Sequence, residues 1–206
     1  MTDQLRMDLG HRTQPEAARR LMAAAVTSFA ERGYHATTTR DIASAAGMSP
    51  AAMYVHFPSK AALLSAISRT GHRKALDLVR SVVARDEPAA KRMHDLVAEF
   101  TCWHAQQHLV ARVVQYELHA LPDEDFAVVA ELRRETERLV RELITDGIAS
   151  GAFDVDDVKG AARAVLSLAI DIARWYPHAA GPAPEELGQG YAALVLRMLG
   201  AGDRCE

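Results

Sequence analysis

Imidazoles and large aromatic rings are concentrated between residues 100 and 119, and these side chains are well suited to binding a ligand. His104 and His108 are four residues apart, so on a helix they would share one face, a spacing that a metal ion can bridge. No third ligand with a definite spacing accompanies them, and imidazoles also serve as hydrogen-bonding groups in organic ligand pockets. We therefore expect neither a metal site nor a cofactor.

The rings around these histidines predict a pocket for a largely apolar small molecule, because such pockets between helices combine aromatic and aliphatic walls with a few polar groups. Two alternatives stay open: Phe100 and Trp103 would serve equally well as core residues, and Arg174 would either hold a polar end of the ligand or only extend to solvent. The candidate ligand-binding residues are Phe100, Trp103, His104, His108, Tyr116, Leu143, Ile170 and Arg174.

Recognisable catalytic machinery is absent from the sequence. It contains no nucleophile elbow, no glycine-rich phosphate loop and no His-Glu-Xaa-Xaa-His pattern. The carboxylates of residues 123–125 crowd the start of a predicted helix, where they interact favourably with the helix dipole. Cys102 and Cys205 are the two cysteines, too few for a disulfide framework or a cysteine-rich zinc site. We expect a protein that is not an enzyme.

Two short helices around a tight turn are predicted within residues 38–60. Thr38 and Asp41 have the spacing of a capping box, and Gly47 suits the left-handed conformation that ends a helix. Ser49 then caps a second helix. A helix this short is not stable alone and gains its order from packing on neighbouring helices. What its exposed face contacts is therefore the best explanation of its purpose.

The second short helix begins with Pro50, Ala51 and Ala52, while Met53 and Phe57 face inward. The three residues at its start present only small apolar surfaces. In the major groove of DNA these suit thymine methyl groups better than bidentate hydrogen bonds.

Charge is distributed unevenly along the 206 residues. Residues 1–74 hold ten Lys or Arg against five Asp or Glu, a net charge of +5. Residues 75–206 hold fourteen against twenty-two, a net charge of −8, so the whole chain has a formal net charge of −3. This asymmetry is typical of a DNA-reading domain joined to a domain that avoids DNA. No apolar run is long enough to span a membrane or to form a signal peptide, so we expect a cytoplasmic protein that does not bind membranes.

The rest of the chain reads as helical throughout, with about nine helices in total. We predict a DNA-binding domain over residues 1–60, which includes a basic arm, and a ligand-binding and dimerisation domain over residues 61–206. Arg6, His11 and Arg12 in the arm would enter a minor groove or remain a solvated tail. Further helices are predicted over residues 59–85, 88–107, 109–120, 122–150, 155–176 and 184–199.

The last two helices are apolar on nearly every side, so each must be covered on every side. We interpret this as burial against the protein's own core on one side and a second subunit on the other, which gives a four-helix seam across a twofold axis. A purely intramolecular core is the alternative. The residues predicted at the dimer interface are Val165, Ile172, Tyr191, Leu194 and Met198.

The motif over residues 38–43, 46–49 and 53–63 closely resembles the N-terminal domain of TetR/AcrR-type one-component transcriptional regulators, and the resemblance spans about residues 15–65. One departure is that Ala61 and Ala62 stand where the family usually has an acidic residue. By position in the motif, Arg40 is the candidate for a guanine edge, and Tyr54, His56 and Lys60 are candidates for phosphates. The implied DNA-contacting set is Thr38, Thr39, Arg40, Ser49, Pro50, Ala51, Ala52, Tyr54, His56 and Lys60.

Residues 171–177, 181–182 and 185–191 also look like the C-terminal domain of family members that control lipid or steroid breakdown and respond to acyl-CoA thioesters. The leading hypothesis is therefore a homodimeric repressor on a palindromic double-stranded operator, released by an apolar effector such as an acyl-CoA. Two rivals stay open: a ligand-independent architectural DNA binder, and a lipid-binding or enzymatic helical domain.

Overall fold

A computed structural model describes residues 15–176 and 181–201, and this part of the chain is all helical with no strand. The all-helical prediction of about nine helices is confirmed, and no described helix is long and apolar enough to cross a membrane. The predicted arm residues Arg6, His11 and Arg12 lie outside the described residues. The helices are α1 (Glu16–Arg32), α2 (Thr39–Ala45), α3 (Pro50–His56), α4 (Lys60–Val83), α5 (Ala89–Gln106), α6 (His108–Tyr116), α7 (Asp123–Ala149), α8 (Val158–Trp175) and α9 (Pro184–Met198).

Two helix boundaries differ from the predictions. The helix predicted to reach residue 120 ends at Tyr116 and is followed by a short 3₁₀ turn, Leu118–Ala120. The penultimate helix begins at Val158 rather than at residue 155. Its start is set by the Asp157 side chain, which accepts a hydrogen bond from the Gly160 N–H at 2.9 Å and so satisfies a donor in the first turn.

The chain forms two compact units. The first combines the described residues up to Arg73 with Leu109–Glu131, and the second combines Lys74–His108 with the described residues from Leu132 onward. Both α4 and α7 therefore contribute residues to each unit. The first unit takes in more of the chain than the DNA-binding domain expected over residues 1–60, and that functional boundary stays a prediction.

Each unit has its own apolar core. In the first, the side chains of α1 to α4 pack together around Leu21, Met53 and Leu63, all fully buried. In the second, α5 lies very close to α9: a Cβ on Gly188 would lie 2.5 Å from the carbonyl oxygen of Ala98, so only glycine permits this approach.

Candidate nucleic-acid interface

The start of α2 is held by the predicted capping box. The Asp41 N–H donates to Thr38 Oγ1 at 3.2 Å, and the Thr38 N–H donates to Asp41 Oδ2 at 2.9 Å. Hydrogen bonds to the Asp41 carboxylate, first from the Thr38 hydroxyl and then from the Thr38 N–H, hold the pKa of Asp41 below its usual range. Thr38 is exposed, but its hydroxyl also donates to Asp41 at 2.7 Å, so its first role is to begin the helix.

The turn between α2 and α3 follows the predicted signals. Gly47 has a φ of 66°, and the next N–H, of Met48, returns to the Ala43 carbonyl at 2.8 Å. Ser49 Oγ then accepts from the Ala52 N–H at 3.1 Å, and Pro50 occupies the first helical position. The polypeptide therefore changes direction within four residues, and the orientation of α3 is determined by local bonds.

The exposed face of α3 lies opposite its core face. Met53 is fully buried, as predicted, whereas Pro50 and Ala51 are exposed and Ala52 is half-buried. Val55 is 80% exposed. The predicted contact set did not include Val55, although its position two residues after the inward-facing Met53 places it on the far side of the helix.

Polar candidates flank this apolar face. Tyr54, 51% exposed, places its hydroxyl 3.3 Å from Thr39 Oγ1, which links the two short helices. Arg40 and Ser49 are exposed, and His56 is half-buried at the end of α3. These side chains can reach a nucleic acid that lies against α3, and their individual contacts stay predictions.

Lys60 has an internal role that local sequence does not reveal. Its ammonium donates to the carbonyl oxygens of Tyr34 and Thr37, each at 2.7 Å, and lies 4.2 Å from the centre of the Tyr34 ring. The Tyr34 N–H donates to Glu117 Oε1 at 3.0 Å. Burial, and then the charge of Glu117, raise the pKa of Tyr34. Lys60 therefore clamps the turn between α1 and α2, and we name this set of bonds the turn clamp.

Several predicted ligand-binding residues come together in the second unit. The imidazole of His104 packs edge-on against the rings of Phe100 and Trp103, with centroid distances of 4.3 and 4.8 Å. His104 Nδ1 donates to the Phe100 carbonyl at 2.8 Å, and His108 Nδ1 donates to the Ala105 carbonyl at 3.0 Å. Because a carbonyl oxygen only accepts, Nδ1 carries a hydrogen in each of these two rings.

The other predicted ligand residues are placed less uniformly. Leu143 is fully buried in the same core as Phe100, and Ile170 is half-buried against it. Arg174 is exposed and forms a two-pronged ion pair with Asp171, at 2.8 and 2.9 Å. Tyr116 belongs to the first unit and is 56% exposed, so it is not grouped with the other rings. Over the described ranges, no three His, Cys, Asp or Glu side chains are arranged to hold a metal ion.

The residues predicted at a dimer interface fall into two groups. Val165 and Ile172 are buried inside the chain's own second unit, which removes them from the surface available to a partner, and Tyr191 is half-buried. Leu194 and Met198 remain exposed on α9. Leu168 on α8, which was not in the predicted set, is exposed as well.

Comparison with known proteins agrees with this geometry. Residues 21–67 match the family of bacterial regulatory proteins named tetR, and residues 86–199 match the tetracyclin repressor-like C-terminal domain. The chain belongs to the TetR family. Its helix-turn-helix is thus that of a family of DNA-binding transcriptional regulators, as the sequence motif predicted.

Similar TetR-family proteins include regulators that carry specific names. The HTH-type transcriptional repressor KstR2 of Rhodococcus jostii is 32% identical over 180 residues, which cover 85% of this chain and 87% of that protein. A tetR-family regulatory protein from Rhodococcus RHA1 has a crystal structure with a TM-score of 0.87 at 40% identity, covering 92% of this chain and all of that one.

The ketosteroid transcriptional regulator KstR2 of Mycobacterium tuberculosis has a solved structure with a TM-score of 0.84 at 25% identity, covering 94% of this chain and 98% of that one. These relatives are transcriptional regulators, which confirms the expectation that the chain is not an enzyme.

Proposed function

We propose that this TetR-family chain represses transcription as a homodimer on a near-palindromic operator and that an apolar small molecule releases it. The observation that carries the proposal is α3, which buries Met53 and exposes Ala51, Tyr54 and Val55 to solvent. The excess of basic residues in the first 74 positions complements the charge of phosphates. The relatives named as repressors support the direction of the effect.

The twofold dimer has its support in α8 and α9. Leu168, Leu194 and Met198 are 40%, 51% and 42% exposed, and Leu194 and Met198 lie one turn apart on α9. An exposed apolar patch is typical of a protein–protein interaction site. Gly190, one turn before Leu194 on α9, has open space around its Cα. A second copy of the same surface would cover these side chains across a twofold axis.

Footprinting tests the proposed binding mode. We expect protection of two inverted half-sites about one helical turn apart, because two reading helices related by a twofold axis meet successive major grooves. A single asymmetric protected site bound by a monomer would contradict the proposal. Equal protection of all sequences, unaffected by any apolar metabolite, would favour the architectural DNA binder instead.

The effector site proposed here is the ring cluster of Phe100, Trp103 and His104 with its neighbours. One solved relative is named a ketosteroid transcriptional regulator, and the C-terminal motif resembles family members that control lipid or steroid breakdown and respond to acyl-CoA thioesters. A steroid or fatty acid, or its coenzyme A thioester, is therefore the class to test first. Because allosteric coupling is reciprocal, an effector that weakens operator binding must itself bind less tightly to the protein on DNA.

Effector binding should quench the fluorescence of Trp103, which is half-buried against His104. We expect quenching and operator release at the same ligand concentrations, in a Trp175→Phe background that removes the second indole. A Trp103→Phe protein supplies the blank. If steroidal, fatty and aromatic acids and their thioesters change neither signal at near-millimolar concentration, the sensing part of the proposal fails and the DNA-binding part stands.

A further inference from the structure

Val55 is the most exposed large hydrophobic side chain among the described residues, at 80%; the next, Tyr116, is 56% exposed. At about 100° per residue, Val55 lies about 200° around α3 from Met53, which is fully buried. Exposed Ala51 lies one turn earlier on the same side. The two residues form an apolar strip that points directly away from the core.

Folding gives no reason for a valine at this position. A β-branched side chain restricts its own rotamers in a helix and is among the weaker helix formers. An exposed valine also gains almost nothing from the hydrophobic effect. Positions where a residue disagrees with its local structure are expected at functional sites. A partner molecule that covers Val55 would supply the missing reason.

The surroundings of the strip favour duplex DNA as that partner. On one side the Tyr54 hydroxyl contacts Thr39, and Arg40 is exposed on the adjoining helix. His56 lies on the other side of the strip. Polar groups suited to phosphates thus surround an apolar centre. In the major groove, the apolar group on the base edges is the C5 methyl of thymine.

We infer that Val55 is a specificity-determining residue whose γ-methyl groups contact the C5 methyl of one thymine in each half-site. The inference rests on the proposed function, since it requires α3 to enter the major groove of a specific operator. It adds a defined chemical preference: at one position per half-site the protein distinguishes thymine from uracil, and 5-methylcytosine from cytosine. Direct hydrogen bonding cannot make either distinction, because the hydrogen-bonding edges are the same within each pair.

The test uses duplexes selected by the full-length protein from a randomised pool. Each thymine of the selected half-site is replaced in turn by uracil, and binding is measured for the wild type and for Val55→Ala. Burial of one methyl group is worth about four-fold in affinity, or about 15-fold when both half-sites are changed. At one position of the half-site, we expect uracil to weaken binding of the wild type by these factors. At the same position, uracil should weaken binding of Val55→Ala by less than about two-fold.

Two controls accompany the measurement. Val128→Ala removes the same atoms from a valine that is 41% exposed on α7, and this variant should respond to uracil as the wild type does. Thermal melting of Val55→Ala should match the wild type, because the side chain has few packing contacts to lose. At the critical position, 5-methylcytosine should bind more tightly than cytosine.

The outcomes separate the inference from the proposed function. If the protein selects no sequence at all, both are overturned. If it selects a palindrome but tolerates uracil everywhere, the inference alone is overturned. If the uracil penalty is equally large in Val55→Ala, the methyl contact belongs to another residue of the strip, and the inference is again overturned while the repressor proposal stands.

Discussion

Leu194→Asp is expected to yield a folded monomer that no longer protects the operator. Leu194 is 51% exposed on α9, so a carboxylate there remains solvated in the monomer. In the proposed dimer the same carboxylate would be buried without a partner, at a cost of several kcal/mol, and the twofold axis imposes it twice. The dimer dissociation constant should rise by about a thousand-fold or more. Sedimentation velocity at micromolar concentration measures it.

Two matched variants make this result interpretable. Val128→Asp introduces the same charge at an exposed valine on α7 and should leave the dimer intact. Ile172→Asp places the carboxylate at a position that is fully buried within the second unit, so it should unfold that unit rather than release a folded monomer. A Leu194→Asp protein that stays folded and dimeric would place the interface elsewhere on the chain.

Lys60→Met is expected to destabilise the first unit by about 3 kcal/mol, because two hydrogen bonds from a charged donor are lost and two carbonyl groups are left without it. The turn clamp holds the backbone immediately before α2, where the Lys60 ammonium lies 2.7 Å from the Tyr34 and Thr37 oxygens. Operator binding should weaken as α2 and α3 lose their support. Urea unfolding, with an unchanged dependence on denaturant, measures the stability loss.

Salt dependence distinguishes the turn clamp from the phosphate contact predicted from the motif. Affinity for DNA falls as salt rises, and losing one phosphate contact makes the plot of log affinity against log salt less steep by about one. Losing only the turn clamp leaves the steepness unchanged. Arg69→Met is the matched control on α4, since Arg69 is exposed and pairs with Asp125 at 3.6 Å, an interaction worth at most about 1 kcal/mol. A stable Lys60→Met protein with a reduced slope would assign Lys60 to the phosphates.

The two short helices could be predicted from sequence because their signals are local. The reciprocal bonds of Thr38 and Asp41 join residues three apart, and Ser49 caps a helix that begins at the next residue. The left-handed turn at Gly47 likewise depends on the residue itself. Spacing along the chain therefore determines that a helix-turn-helix forms. It also determines that the face of α3 carrying Met53 is the buried one.

Only the tertiary structure decided which long-range partners hold that motif in place. Lys60 reaches back 26 residues to Tyr34, and Tyr34 meets Glu117, 83 residues away. A lysine beside a helix-turn-helix looks the same in sequence whether it binds a phosphate or a carbonyl oxygen. Its partner depends on how α1 and α4 pack, and no local spacing encodes that packing.

The surface of α8 required the structure for a different reason. This helix is apolar on nearly every side, so its periodicity does not indicate which side faces the core. The sequence alone predicted Val165 and Ile172 at a dimer interface, whereas packing buries both inside the second unit and leaves Leu168 exposed. The composition of α8 predicted cover on every side, and only the fold showed which apolar side chain of this helix stays exposed within the chain.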